Sequence, residues 1–145
     1  MCLVIDTTGA RIADENIKVY KVISNTDQAP FKGTYQYIHG LNVAEEYRAV
    51  YEKGKGFKTV RAKVSIDKPA DDDATILGDG FLHAYTELEP AEIMKRVVET
   101  SEWNDLLSGP EKPTFKVVEM VVPKGTVYYL NYPGNEIASR ALLWK

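Results

Sequence analysis

The alternation of apolar and polar positions marks four segments as strands. Ile17–Ser24 reads IKVYKVIS and is dense in β-branched and aromatic residues. From Phe31 to Ile38, the positions Phe31, Gly33, Tyr35 and Tyr37 alternate with Lys32, Thr34 and Gln36, which is the period of a half-buried strand. Phe57–Ile66 sets Lys58, Val60, Ala62, Val64 and Ile66 on alternate positions. Thr114–Val122 is largely apolar on both faces, so it is expected at the centre of a sheet.

Helical spacing appears twice. Asn42–Lys53 fits a short helix, with Asn42 and Glu45 as a capping-box variant and Ala44, Tyr47, Val50 and Tyr51 on one side. Gly54 would end it. The clearer helix follows a short strand at Phe81–Tyr85. Thr86–Glu89 supplies capping residues, Pro90 suits the first turn, and Ile93, Met94, Val97 and Val98 form an apolar stripe. Ser101–Leu107 fits a further short helix, and Gly109–Pro113 breaks the pattern.

The last third reads as a β-meander. Pro123-Lys-Gly125 turns the chain into a strand at Gly125–Tyr132. Pro133-Gly134 matches a type II turn, and Glu136–Lys145 returns as a final strand. Consecutive strands are expected to pair antiparallel. The expectation is one α+β domain over residues 1–145: an antiparallel β-sheet of five or six strands, one main helix packed on it, and a C-terminal β-meander. Open sheet edges suggest a homodimer.

Composition narrows the function classes. The chain has 145 residues, 44% hydrophobic and 27% charged, which suits a domain with its own core. Its net charge of −3 disfavours nucleic acid as the main partner. Cys2 is the only cysteine, so no disulfide closes within the chain. With two histidines beside it, a structural zinc site is not expected. Met1–Ile5 is too short for a signal segment and no apolar run has the length of a membrane span, so a cytoplasmic protein is expected. Asp71-Asp72-Asp73, with Asp79 nearby, lacks the ligand spacing of a calcium loop and reads as a solvated loop. No metal and no cofactor are expected.

The chemistry-bearing candidates are few. His83 lies in a strand just before the main helix, beside Tyr85 and Thr86, where a helix start favours anions. His39 sits in a turn. Neither histidine has a hydroxyl residue of the two-histidine phosphoesterase type two positions on: Tyr85 follows His83 and Leu41 follows His39. Arg61 and Arg140 fall within expected strands, where a charge must face solvent, a partner or a ligand. Tyr128, Tyr129 and Tyr132 cluster around Asn131. Arginine forks and aromatic faces are the ingredients of a nucleotide pocket. The ligand-binding set expected on these grounds is Arg61, His83, Tyr85, Asn131 and Arg140. Tyr51–Lys63 interleaves basic residues, aromatics and glycines without matching a phosphate-loop spacing. It reads first as a hairpin edge protected by lysines, and only second as a nucleic-acid contact.

Several short motifs carry a resemblance. They are Met1-Cys-Leu, IKVYKVIS, Gly80-Phe81-Leu82-His83-Ala84-Tyr85, VVPKGTVYYLNYPG and IASRALLWK. In these the chain resembles a loose family of short uncharacterised proteins from gut bacteria and their phages. Its members open with Met-Cys-Leu, carry a VYKV strand and a Gly-Phe-His element, and close on a PKGT-x-YY motif. Here Leu82 interrupts the Gly-Phe-His element. The resemblance implies no activity. It suggests a phage protein that acts by binding, sequestering a nucleotide signal as an anti-defence device. Two alternatives stand beside it. One is an enzyme on nucleotides, phosphodiesterase or ADP-ribosyltransferase-like, with His83 as acid and base. The other is an inhibitor that binds a host protein through an acidic face.

Overall fold

The computed structural model describes residues 3–4, 9–28, 35–70, 76–77, 80–100, 114–131 and 134–145. The strands in chain order are β1 (Leu3–Val4), β2 (Arg11–Ile12), β3 (Ile17–Ser24), β4 (Gly40–Val43), β5 (Glu45–Glu52), β6 (Gly56–Lys63), β7 (Ile76–Leu77) and β8 (Leu82–Tyr85). After the helix α1 (Leu88–Glu99) come β9 (Phe115–Val122), β10 (Val127–Leu130), β11 (Glu136–Ser139) and β12 (Ala141–Trp144). The main sheet has eight strands in the order β2-β10-β11-β8-β3-β9-β12-β4, more than the five or six expected. β1 pairs with β7, and β5 pairs with β6, as separate two-stranded ladders. Every pairing is antiparallel. An antiparallel sheet with one helix among the described residues is the α+β class expected.

The order of the main sheet requires it to curl. β11 and β12 are separated along the chain by Arg140 alone, yet β8, β3 and β9 lie between them in the sheet. In a flat sheet those strands would stand roughly 19 Å apart, at about 4.8 Å per strand. A single residue bridges only about 7 Å between its neighbours' Cα atoms. The sheet therefore folds round until the end of β11 meets the start of β12, with Arg140 as the corner.

Curling gives the sheet an inner and an outer face. On β3, Val19 and Ile23 point inward with Leu82 and Ala84 of β8, Met120 and Val122 of β9, and Leu142 and Trp144 of β12. Tyr37, Ala44 and Val64 close over them from the connecting segments. On the outer face, Val22, Tyr85 and Phe115 meet Ala91, Met94 and Val98 of α1. Farther along, Phe81, Val127, Tyr129 and Ala138 form a third cluster beneath Ala70.

Several expectations are corrected here. Asn42–Lys53 is not a helix: it belongs to β4 and β5. Eight registered pairs with β6 outweigh a short helix with a costly nucleus, and Tyr47, Val50 and Tyr51 are strand formers. Asn42 caps nothing; its buried carboxamide accepts from the Ile38 amide and donates to the carbonyls of Ile38, Gly40 and Leu142. Gly54, at φ +87°, turns the β5–β6 hairpin instead of ending a helix. α1 is present, but Ile93 and Val97 of the expected stripe are exposed, and Ala91, Met94 and Val98 face the sheet. Its N-cap is Glu87 without a side-chain bond, while the Thr86 hydroxyl donates to the Gly134 carbonyl.

The C-terminal meander is also broken. β10 pairs with β11, as expected of neighbours, but β9 pairs with β3 and β12 and not with β10. The expected final strand is two, divided at Arg140. β9 is central, as its two apolar faces predict. Of the expected strand at Phe31–Ile38, residues 31–34 lie outside the described residues, and Gln36 makes a single bridge with Gln28. Ser101–Leu107, Asp71-Asp72-Asp73, Asp79, Tyr132, Pro133 and Cys2 also lie outside them.

Arg140 holds the corner. Its Nε donates to the Lys68 carbonyl at 2.7 Å, Nη1 to Gly80 at 2.6 Å and Nη2 to Pro69 at 3.2 Å. The guanidinium lies 3.9 Å from the Phe81 ring centroid. Its backbone N–H donates to the Val127 carbonyl, and its carbonyl accepts from Ala44. Gly80 has φ +81°, and a Cβ there would stand 2.8 Å from Nη1. Arg140→Met leaves three carbonyls without their charged donor, and a loss of about 3 kcal/mol is expected in urea unfolding. Gly80→Ala combines left-handed strain with this clash, and a loss of about 1–3 kcal/mol is expected by the same measurement.

Candidate ligand-binding site

The inner face carries one unusual residue. Lys21 shares the parity of Val19 and Ile23 on β3, so its side chain enters the apolar core and is only 8% exposed. Its ammonium donates to the His83 carbonyl and lies 5.5 Å from the Tyr37 ring centroid. The registered pairing of β3 with β8 is confined to Tyr20↔Tyr85, and Lys21 reaches the β8 backbone beyond that pair. Among the described residues no carboxylate pairs with Lys21. Burial lowers its pKa from 10.5 to about 8.

A second lysine lies on the same face. Ile23 is registered with Lys116, and Lys21 with Val118, two positions along β9. Lys116 bonds Asp27 at 2.7 Å and stands 5.5 Å from the Trp144 ring centroid. His39 stacks on that tryptophan, centroids 4.0 Å apart, and its Nδ1 contacts the Lys145 carbonyl at 3.1 Å. Tyr35 and Tyr37 pack with centroids 4.7 Å apart. Tyr35 donates its hydroxyl to the Val43 carbonyl, and the Tyr37 amide donates to Asp27, which fix both rings over β3. Burial raises the Tyr37 pKa, and a nearby Tyr35 charge would add to that. Tyr35 is raised too, by burial and by Glu45, partly offset by its bond to Val43. His39 is exposed and Lys116 is partly accessible, whereas Lys21 lies beneath.

Two cations, Lys116 already paired with Asp27 and Lys21 with no described carboxylate, against four rings can bind an anion that carries a flat ring, with the Lys21 ammonium on charge and the aromatic faces on the ring. No group of His, Cys, Asp or Glu among the described residues could hold a metal ion.

The residues expected from sequence do not form one site. Arg61 lies exposed on β6, registered with Tyr47. His83 and Tyr85 share the outer face of β8, opposite to Lys21. Tyr85 is buried by α1, its hydroxyl has no partner among the described residues, and burial, aided by Glu136, pushes its pKa up to about 12. Asn131 organises the β10–β11 turn: its Oδ1 accepts from the Gly134 and Glu136 amides, both at 3.0 Å. Arg140 is the corner clamp. Sequence reading passed over Lys21, although the signal was present: it is the one charge in the Val19–Lys21–Ile23 register. Lys116 and Trp144 carried no signal, since only the curled sheet joins them.

No family model, curated protein or solved structure matches the chain. Among the described residues no helix is long and apolar enough to cross a membrane.

The buried lysine sets a pH dependence. Between about pH 8 and 10.5 the unfolded chain holds a proton that folded Lys21 has lost, so stability rises with pH, by at most roughly 3 kcal/mol. Above about pH 10 the unfolded chain sheds tyrosine protons that folded Tyr35, Tyr37 and Tyr85 retain, so stability falls again. Urea midpoints measured across this range should peak near pH 10, and Lys21→Met should abolish the rise.

Proposed function

We propose that this chain binds, without turning over, a small anionic ligand bearing an aromatic ring, of the nucleotide class. The observation that carries the reading is Lys21: a cation buried in an apolar core, bonded to a carbonyl and to no described carboxylate. An unpaired buried charge destabilises a fold, and a bound anion would compensate it. Lys116, Trp144, Tyr35, Tyr37 and His39 supply the second charge and the rings. The resemblance to phage and gut-bacterial proteins supports sequestration of a nucleotide signal as the biological use.

Thermal unfolding against mono-, di- and cyclic nucleotides and ADP-ribose tests it. A ligand at about 100 times its dissociation constant should stabilise the fold by about 2.7 kcal/mol. Chromatography should return that ligand unchanged; a converted product would make the protein an enzyme. Lys21→Met should match or exceed the stability of the parent without ligand and lose the ligand-induced shift. Lys116→Ala should weaken binding about tenfold, as expected for loss of one charged contact. Absence of a shift with every nucleotide would refute the proposal.

A further inference from the structure

The β5–β6 ribbon takes no part in the Lys21 site. It is rooted at the corner of the main sheet, where the Ala44 amide donates to the Arg140 carbonyl and the Val64 amide to that of Ala44. Its tip turns at Gly54 and Gly56, with φ +87° and +80°, and the Lys55 amide donates to the Glu52 carbonyl. Strand parity gives the ribbon two unlike faces. Toward its base Val60 and Ala62 of β6 are half-buried, as is Glu46 across from Ala62. Phe57, Thr59, Arg61 and Lys63 point the other way and are exposed. Ala49 and Tyr51, across from Thr59 and Phe57, are exposed on that same outward face. The Tyr51 and Phe57 rings are 64% and 76% exposed, with centroids 5.2 Å apart and planes inclined at 62°. Most of both rings therefore meets water, and a contiguous exposed aromatic pair marks an interaction surface.

Charge singles out the same ribbon. Residues 47–63 hold six Lys or Arg and one acid, Glu52, a net +5. The chain totals −3, so the remainder carries −8. The overall acidity disfavours nucleic acid on most of the surface, yet a polyanion is attracted to the ribbon and repelled from the rest. Lys55 and Lys58 contact Glu52, at 3.8 and 3.3 Å, but exposed pairs of this kind are weak and a phosphate can replace the one carboxylate they share. On the outward face Arg61 and Lys63 follow Phe57 by about 14 and 20 Å at strand spacing, with Glu45 across from Lys63. A polymer with one phosphate and one flat base per unit fits this order, phosphates on the cations and bases on the rings. Paired bases hide their faces in the stack, so stacking on rings selects single strands. An acidic peptide would match the charges and leave the rings idle. A membrane would have to receive Lys53 and Lys55 at the tip before the rings. We infer that the outward face of the β5–β6 ribbon binds single-stranded nucleic acid, stacking bases on Tyr51 and Phe57 and holding phosphates with Lys53, Lys55, Arg61 and Lys63. It shares no residue with the Lys21 site and does not depend on the ligand proposal.

Fluorescence anisotropy with labelled oligo(dT) and oligo(U) of about twelve nucleotides tests the inference. Saturable binding is expected, and the tighter of the two identifies the sugar. Log affinity should fall with log salt at a slope of about −3, as for four phosphates of a single strand. Tyr51→Ser with Phe57→Ser should weaken binding about tenfold or more and leave that slope unchanged, because stacking releases no counterions. Phe57→Trp keeps a ring face and should retain the affinity. Lys53→Glu with Lys55→Glu should weaken binding and reduce the slope to roughly half. All four side chains are exposed, so unchanged thermal unfolding verifies the fold. The ribbon variants should leave the thermal shift with small nucleotides as in the parent, so the two readings fail separately. No saturable binding to either oligonucleotide, equal affinity for a duplex of the same length, or binding indifferent to the ribbon variants would overturn the inference. So would capture of phosphatidylserine vesicles through the ribbon in place of the oligonucleotides.

Discussion

The architecture depends on one buried arginine at a corner. Continuing directly from β11 into β12 across Arg140 forces the main sheet to curl, because three strands lie between them. A corner interrupts ladder bonding and leaves nearby carbonyls in need of donors. The guanidinium serves those of Lys68, Pro69 and Gly80 together, while its flat face rests on Phe81. Its planar fork suits this task better than an ammonium, which lacks the several directed donors. A charge that would be costly if isolated thus becomes the fastener between the sheet and the segment that covers its outer cluster.

Lys21 is the contrasting case. Arg140 spreads its charge over three carbonyls, whereas Lys21 brings a localised ammonium into an apolar face with one carbonyl beside it. The same burial that lowers its pKa makes it the place where an anion would have most effect. The Tyr37 ring lies beside it and the Trp144 ring beside Lys116, because the curl brings β12 and the Tyr35–His39 segment over β3 and β9. The outer surface follows a different logic. There α1 buries only Ala91, Met94 and Val98 to good effect, and the hairpin stands clear of the sheet, so apolar groups remain exposed on both.

Local pattern alone determined much of the secondary structure. IKVYKVIS is β3 to the residue, the doubly apolar Phe115–Val122 is central, and the helix before β9 was legible because Pro90 in its first turn and the run of residues that tolerate a helix after it are local properties, although the expected caps do not form. These signals need only near neighbours in the chain. At Asn42–Lys53 the local pattern misled, because a 3.6-residue spacing of apolar groups there was outweighed by pairing with β6, a partner that local spacing does not weigh. The rotated face of α1 has the same origin: which side is buried was decided by Tyr85 and Phe115 on the sheet.

Site residues were legible only where one strand's parity could expose them. Lys21 was visible as a charge in an inward register, while Arg140, Asn131 and Tyr85 looked like ligand contacts and are engaged in a corner, a turn and a helix–sheet seam. Sequence shows residue chemistry and local period; it does not show which strands become neighbours. The order β2-β10-β11-β8-β3-β9-β12-β4 joins residues more than a hundred positions apart, such as His39 with Lys145 and Trp144. Those contacts were decided by tertiary structure alone, because strand pairing and sheet curvature respond to burial summed over the whole chain.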